Sequence, residues 1–256
     1  MEREFEGKKA LVTGGTQGMG KAIALRLAAG GADVIVAARN IPEDFPLKAV
    51  AADISTAEGT KSIIENVSDC FGCPDILVNN AGGSKSPAGG YLAHSDAEWQ
   101  HMFELNLFGA VRLDRGFLPL MTKRKSGVII HISSIQSHKP IYESTLGYAA
   151  AKAALNNYSK ALSLEVAKFG VRVNSISPGF IETGAARAYI ELLAENKKIS
   201  EDAARAEIIS YIGGIPLGRT GRPEEVAELA AFLASEKAGW ITGVEYRIDG
   251  GTIQTL

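Results

Sequence analysis

Seven short apolar runs, each closed by turn residues and most followed by a helix-like stretch, span this chain of 256 residues. They lie at residues 9–12, 34–37, 48–52, 76–78, 128–132, 171–176 and 244–248. Most do not alternate apolar with polar residues, as a strand with one wet face would. Continuous apolar runs joined by helices predict a parallel sheet covered on both faces. Helical sequence is expected over residues 18–29, 56–71, 96–122, 148–169, 185–211 and 223–234. Pro223 falls in the first turn of the last of these, where its missing N–H is harmless. No composition shift marks a linker and no repeat of solenoid period occurs. The expected architecture is therefore α/β: one doubly wound domain over residues 1–256, with about seven parallel strands and helices on both faces.

Composition narrows the function. With 46% hydrophobic and 22% charged residues and a mean hydropathy of +0.04, the chain is not disordered. A net charge of −2 and a pI near 6.1 provide no field to hold a polyanion, which argues against nucleic-acid binding. No apolar stretch is long enough to span a membrane. The N-terminal residues Glu2, Arg3, Glu4 and Glu6 are charged, unlike a secretory signal, so a cytoplasmic location is expected. Cys70 and Cys73 form a C-x-x-C, but no second pair exists to complete a zinc site. His94, His101, His131 and His138 have no metal-ligand spacing either, so no metal is expected.

The first apolar run ends in Thr13-Gly14-Gly15-Thr16-Gln17-Gly18-Met19-Gly20, at the entry to the first helix. Glycines there let the chain bend sharply and bring bare backbone against a pyrophosphate, while the helix N-terminus offers free N–H groups. The spacing is G-x-x-x-G-x-G rather than G-x-G-x-x-G, since Ile23 occupies the third glycine position of the latter. Position strengthens the dinucleotide reading over a plain tight turn. The second strand then sets the cofactor. No Asp or Glu lies between Val34 and Pro42 to hold a ribose 2′-OH, and Arg39 stands at the strand end. A guanidinium there pairs with a 2′-phosphate, so NADP(H) is expected, with NAD(H) as the alternative. Asp53 and Ile54, after the third run, are placed to frame the adenine.

Tyr148 and Lys152 stand four residues apart on one helix face. A phenol with a pKa near 10 is a poor base at neutral pH, and an adjacent ammonium favours its ionised form. Such a pair exchanges protons with an alcohol or carbonyl. Alone the Y-x-x-x-K spacing is common. Here the glycine loop, Asn79-Asn80-Ala81-Gly82, Asn106, Ser134, Tyr148 with Lys152, and Pro178-Gly179 follow one another in order.

In that order the chain resembles the short-chain dehydrogenase/reductase family from about Gly7 to Gly251, which implies a Rossmann-type fold. The resemblance implies Tyr148 as catalytic acid/base and Lys152 as the residue that lowers its pKa and binds the nicotinamide ribose. Ser134 would polarise the substrate oxygen, and Asn106 would hold a water linking Lys152 to solvent. Gly14, Thr16, Gln17, Gly18, Met19 and Gly20 would hold the pyrophosphate. Asn80, Ala81 and Gly82 would lie along the cofactor, with Asn80 at its ribose. Pro178, Gly179, Ile181 and Thr183 would form the nicotinamide side. A homotetramer, or failing that a dimer, is also implied. The apolar residues Leu105, Phe108, Leu113, Phe117, Leu155, Tyr158 and Leu162 are candidates for its interface, although most are expected to pack on the sheet.

One departure concerns the serine. Ser134 precedes Tyr148 by 14 residues, slightly more than the family spacing, and Ser133 competes for the role. His138 and Glu143 lie in the intervening segment and are expected to be solvated rather than substrate-facing. Substrate contacts are expected from residues 84–92, 136–146 and 184–213, the last as a lid. The leading function is NADP(H)-dependent interconversion of a carbonyl and an alcohol. A second reading is a 3-oxoacyl-(acyl carrier protein) reductase, for which Lys123, Arg124 and Lys125 would supply a basic patch. A third is a non-catalytic dinucleotide sensor, which would have no use for Ser134, Tyr148 and Lys152 together. Residue spacing does not name the substrate.

Overall fold

The computed structural model describes residues 3–84, 87, 89–143 and 145–255. Lys85, Ser86, Ala88 and Ser144, which fall in the expected substrate segments, lie outside the described residues. All seven apolar runs form strands: β1 (Lys9–Thr13), β2 (Asp33–Ala38), β3 (Lys48–Ala51), β4 (Ile76–Asn79), β5 (Gly127–Ile132), β6 (Val171–Pro178) and β7 (Glu245–Ile248). They make one sheet in the order β3-β2-β1-β4-β5-β6-β7, every pair parallel. This is the Rossmann-like doubly wound arrangement. The order reverses between β1 and β4, and ligands of such sheets bind at the carboxyl edge beside that reversal.

Helices α1 (Gly18–Ala29) and α8 (Pro223–Ala234) cover one face. Their side chains Ile23, Leu27, Val226 and Leu233 close on Val12, Val36, Val78 and Ile130. The other face is covered by α2 (Ala57–Phe71), α4 (Gly109–Arg124) and α5 (Leu146–Val166), whose Ile63, Phe117 and Leu162 pack on Leu11, Ile35, Leu77 and Ile129. The central strands β1, β2, β4 and β5 are buried on both faces, which explains their continuous apolar sequence, whereas the edge strands β3 and β7 are partly exposed. Leu113, Phe117, Leu155 and Leu162 are therefore core, and only Phe108 of the expected interface residues is exposed. The exposed apolar side chains of this helical face are Phe108, Leu120 and Leu164, followed by Phe169.

Two expected helices are broken. The stretch 96–122 divides into α3 (Asp96–Phe103), a π turn (Glu104–Phe108) and α4. Ser95 and Glu98 form a capping box that starts α3. The stretch 185–211 divides into α6 (Gly184–Lys197) and α7 (Glu201–Tyr211). Lys198 turns left-handed at φ 54, and Ser200 caps α7 by accepting from the amide of Ala203. The hairpin has its own small core of Ile190, Ala194, Ala204 and Ile208, separate from the sheet. Among the described residues no helix is long and apolar enough to cross a membrane.

Beneath the carboxyl edge lies a buried polar network that joins four elements. Asp114 of α4 is fully buried and accepts from Asn79 Nδ2 at 2.8 Å and lies 2.9 Å from His131 Nε2. The hydroxyl of Tyr158 on α5 also hydrogen-bonds Asp114, and burial with this neighbouring carboxylate pushes that phenol far up. A carboxylate in such a place is tolerable only with its acceptors filled. Asp114→Ala orphans Asn79, His131 and Tyr158 together. It is expected to lower unfolding free energy by about 3–5 kcal/mol, read from urea denaturation. A loss below about 1 kcal/mol would show that the network relaxes freely.

Candidate active site

The site forms where β1, β4, β5 and β6 end. After β1 the chain turns through Gly14, with φ +64, into Gly18, with φ +53, the backbone region that glycine enters freely. A Cβ on Gly20 would sit 2.2 Å from the Gly14 carbonyl and 2.4 Å from Asn80 Nδ2, so the loop closes only without one. Gln17 precedes α1 without a side-chain cap, and the first turn holds no acidic residue. The first N–H groups of α1 are thus unclaimed by side chains, a cradle suited to a pyrophosphate. Thr13, at the polar end of an apolar run, laces β1 to β4. Its hydroxyl accepts from the amides of Asn80 at 3.0 Å and Ala81 at 2.9 Å. Asn80 Nδ2 donates back to the Thr13 carbonyl at 2.8 Å. The side-chain amide of Asn80 therefore shapes the glycine loop, a role that motif reading missed.

Arg39 follows directly on β2 and is exposed. It lies close enough to Asp53 to help hold that carboxyl below its ordinary range, although burial opposes this and hydrogen bonds from Ser55 do more. Asp53 Oδ1 accepts from the Ser55 amide at 2.9 Å and its hydroxyl at 2.7 Å. Ile54 is buried against Gly109. Across the site, Pro178 ends β6, and the chain continues through Gly179, Phe180, Ile181 and Glu182 to Thr183. Thr183 caps α6 by accepting from Ala186 at 3.3 Å, and a Cβ on Gly18 would meet its methyl at 3.2 Å. The glycine loop and the loop after β6 thus close on one another, with Met19 packed on the core below them.

Between them Asn106, Ser134, Tyr148 and Lys152 come together from three segments, the π turn, the end of β5 and α5. Lys152 is buried on α5, and its ammonium donates to the Ile132 carbonyl at 2.7 Å. Burial brings its pKa down to about 8. Its nitrogen lies 5.8 Å from the centre of the Tyr148 ring. Ser134 and Tyr148 share a side-chain hydrogen bond. Asn106 sits in the π turn, where Gly109 N–H bonds back five residues to Glu104. Its Nδ2 donates to Met102 O at 3.0 Å and Gly83 O at 3.1 Å, and its Oδ1 accepts from Gly83 N–H at 3.0 Å. A Cβ on Gly82 would strike Asn106 Oδ1 at 2.7 Å and Lys152 Nζ at 3.1 Å, so Gly82 is the floor of this cluster.

Burial pushes the Tyr148 phenol above its ordinary value, and the hydrogen bond with Ser134 offsets part of that. The charge of Lys152 is itself desolvated and directed at the Ile132 carbonyl. In the protein alone, burial thus favours the protonated form of Tyr148.

The neighbouring segments divide clearly. Ser133 donates to the Lys152 carbonyl at 3.1 Å, which removes it from the cleft and leaves Ser134 beside Tyr148. His138 faces Glu245 on β7 at 2.9 Å. Arg124, in the expected basic patch, turns inward to Pro74 O at 2.6 Å, Ser126 O at 2.8 Å and Asp75 at 3.1 Å. Glu182 ties the hairpin of α6 and α7 to the loop after β6. It accepts from Thr220 at 2.8 Å and Arg205 of α7 at 3.3 Å, and lies 3.8 Å from Arg187 of α6. Among the described residues no group of three or more His, Cys, Asp or Glu side chains is placed to hold a metal.

Comparison with known proteins agrees with this geometry. A family model described as enoyl-(acyl carrier protein) reductase matches residues 14–252. The 3-oxoacyl-(acyl-carrier-protein) reductase of Salmonella typhimurium is 38% identical over 261 residues, covering 96% of this chain and 98% of that protein. The Escherichia coli enzyme of the same name matches equally, at 38% over the same shares. L-sorbose reductase from Gluconobacter frateurii, solved with NADPH and L-sorbose, superposes with a TM-score of 0.91 at 35% identity over the full length of both chains. Aldohexose dehydrogenase of Thermoplasma acidophilum, solved without ligand, superposes with a TM-score of 0.88 at 29% identity, over 100% of this chain and 98% of that one. The chain belongs to the short-chain dehydrogenase/reductase family. It is an oxidoreductase that interconverts a carbonyl and an alcohol with a nicotinamide dinucleotide.

The buried lysine has a measurable signature. Between about pH 8 and 10.5 the unfolded chain holds a proton on Lys152 that the native protein has released. Stability therefore gains with rising pH across that window, and the cost of burying the charge is complete below it. Lys152→Met removes this dependence. The unfolding free energy of the variant minus that of the parent is expected to fall by about 3 kcal/mol from pH 7 to pH 11. A difference that stays flat with pH in urea titrations would contradict the buried charge.

Proposed function

We propose that the protein is an NADP(H)-dependent reductase of ketones or aldehydes, with Tyr148 as the proton donor. The carrying observation is the Tyr148 phenol hydrogen-bonded to Ser134 beside the buried Lys152 ammonium, with burial holding that phenol above its ordinary value. A protonated phenol is the form that carbonyl reduction requires. The bound dinucleotide supplies the hydride. Ser134 and Tyr148 present hydroxyls to the substrate oxygen, where negative charge develops, and Tyr148 transfers its proton there. Lys152 holds the nicotinamide ribose and lends positive charge as the phenolate forms. Asn106, held open by the π turn, holds a water that returns a proton through Lys152.

Gly14, Thr16, Gln17, Gly18, Met19 and Gly20 hold the pyrophosphate at the bare end of α1. Asn80, Ala81 and Gly82 run along the ribose, Asp53 and Ile54 border the adenine, and Pro178, Gly179, Ile181 and Thr183 border the carboxamide. Arg39 pairs with a 2′-phosphate, a reading supported by its place after β2 and by the absence of an acid from Val34 to Pro42. The whole chain acts as one dinucleotide-binding domain, with residues 184–213 as a lid. Its attachment through Glu182 and its separate small core support that reading. A cytoplasmic homotetramer is the expected form, with the exposed Phe108, Leu120 and Leu164 as candidates for its interface.

The second reading, reduction of 3-oxoacyl groups on a carrier protein, draws on the near full-length likeness to the Salmonella enzyme. Against it stands the inward engagement of Arg124, which breaks the basic run expected to dock an acidic carrier. Acetoacetyl thioesters in an NADPH oxidation assay separate the two.

Tyr148→Phe is expected to lower turnover by at least a thousandfold while NADPH still binds. Substantial turnover in that variant sinks the assignment. In fluorescence titrations the parent should bind NADPH at least tenfold tighter than NADH, and Arg39→Ala should remove most of that preference. An unchanged preference in Arg39→Ala would place the phosphate elsewhere.

A further inference from the structure

The three segments expected to face the substrate meet at one side chain, Glu143. Its carbonyl oxygen accepts from the amides of Gly89 at 3.0 Å and Gly90 at 3.1 Å, from the segment after β4. Its carboxylate accepts the hydroxyl of Tyr211, at the end of lid helix α7. The Tyr142 hydroxyl bonds the same carboxylate, and that partner pushes the Tyr142 phenol up. Gly89, Gly90, Tyr91, Tyr142, Glu143 and Leu146 line an open hollow of about 410 Å³, within the range of small-molecule sites. Leu146 begins α5, so the hollow adjoins the turn that carries Tyr148. Sequence reading left Glu143 as a solvated loop residue; in the structure it is a node of the substrate segments.

The chemistry of the hollow is specific. An ionised carboxylate only accepts hydrogen bonds, and its two oxygens offer about four acceptor sites. Two hydroxyl groups already use this one, and among the described residues no cation pairs with it. The charge therefore repels an anionic substrate and attracts O–H donors. The Tyr91 and Tyr142 rings beside it are exposed, offering flat apolar faces to C–H groups. A carboxylate that accepts hydroxyls, flanked by open aromatic rings, suits a neutral polyhydroxylated molecule better than an acyl chain or an acid.

We propose that Glu143 is a specificity-determining residue that accepts hydroxyl groups of a neutral polyhydroxylated carbonyl substrate held against Tyr91 and Tyr142. This rests on the carbonyl-reductase reading above and names its substrate class. The test is an NADPH oxidation assay on the intact protein with three four-carbon ketones: erythrulose, 2-butanone and acetoacetate. They share a skeleton and differ in hydroxyls and charge.

The parent is expected to favour erythrulose over 2-butanone by at least tenfold in kcat/KM and to discriminate against acetoacetate. In Glu143→Gln the erythrulose to 2-butanone ratio should fall at least tenfold, about the loss expected for one charge-assisted hydrogen bond. The ratio of acetoacetate to 2-butanone should rise severalfold in the same variant. Tyr211→Phe, which removes the tie to α7 but keeps the carboxylate, should hold both ratios within twofold of the parent. If Glu143→Gln lowers kcat/KM for all three ketones in proportion, Glu143 is only a tie between segments and the inference fails. A parent that prefers 2-butanone or acetoacetate overturns the inference and leaves the reductase reading intact. Reduction of none of the three overturns both.

Discussion

A single buried hydrogen bond, from the Lys152 ammonium to the Ile132 carbonyl, organises the site. It joins α5 to the end of β5 and so sets how far Tyr148 stands from Ser134. It also brings a charge into a place where water cannot solvate it, at the energetic cost that the lowered pKa records. The surroundings fit that charge closely. Gly82 gives way to Nζ, Asn106 is pinned beside it by three hydrogen bonds, and Ser133 secures the Lys152 carbonyl. Such a lysine is a poor stabiliser, and its retention is understood through the chemistry next to it.

The sheet makes this convergence possible. Because every strand runs the same way, the loops after β1, β4, β5 and β6 emerge on one edge, and the reversal between β1 and β4 leaves a crevice there. Below the edge, the Asp114 network ties β4, β5, α4 and α5 into one block. Three residues of the site, Asn106, Tyr148 and Lys152, project from α5 or from the turn that leads into α4. The site is therefore held by buried polar contacts as well as by apolar packing.

Much of the fold was legible because the signal is local. A strand buried on both faces is mostly apolar, and the runs that form β1, β2, β4 and β5 showed that. The glycine loop was legible because Gly14 and Gly18 adopt a backbone that other residues avoid. The π turn at Glu104–Phe108 was not, since its apolar residues continue the helical pattern without a glycine or proline. The break at Lys198 was hidden for a similar reason, because a lysine there takes the left-handed conformation more often given to glycine. The partners of Asp114, and Tyr211 as a partner of Glu143, lie 17 to 68 residues away in sequence, so only folding brings them together. Motif order placed Tyr148 and Lys152 in one cluster, but the desolvation that raises the Tyr148 phenol depends on the surrounding packing and was not legible.

The central claim is that this protein holds Tyr148 as a protonated acid at neutral pH. An ultraviolet difference titration of the free protein against Tyr148→Phe, followed at the tyrosinate band, measures this directly. The account predicts no ionisation of Tyr148 until the pH passes about 10, the ordinary phenol value. A difference signal titrating between pH 6 and 8 would contradict it and would make Tyr148 a base poised for alcohol oxidation.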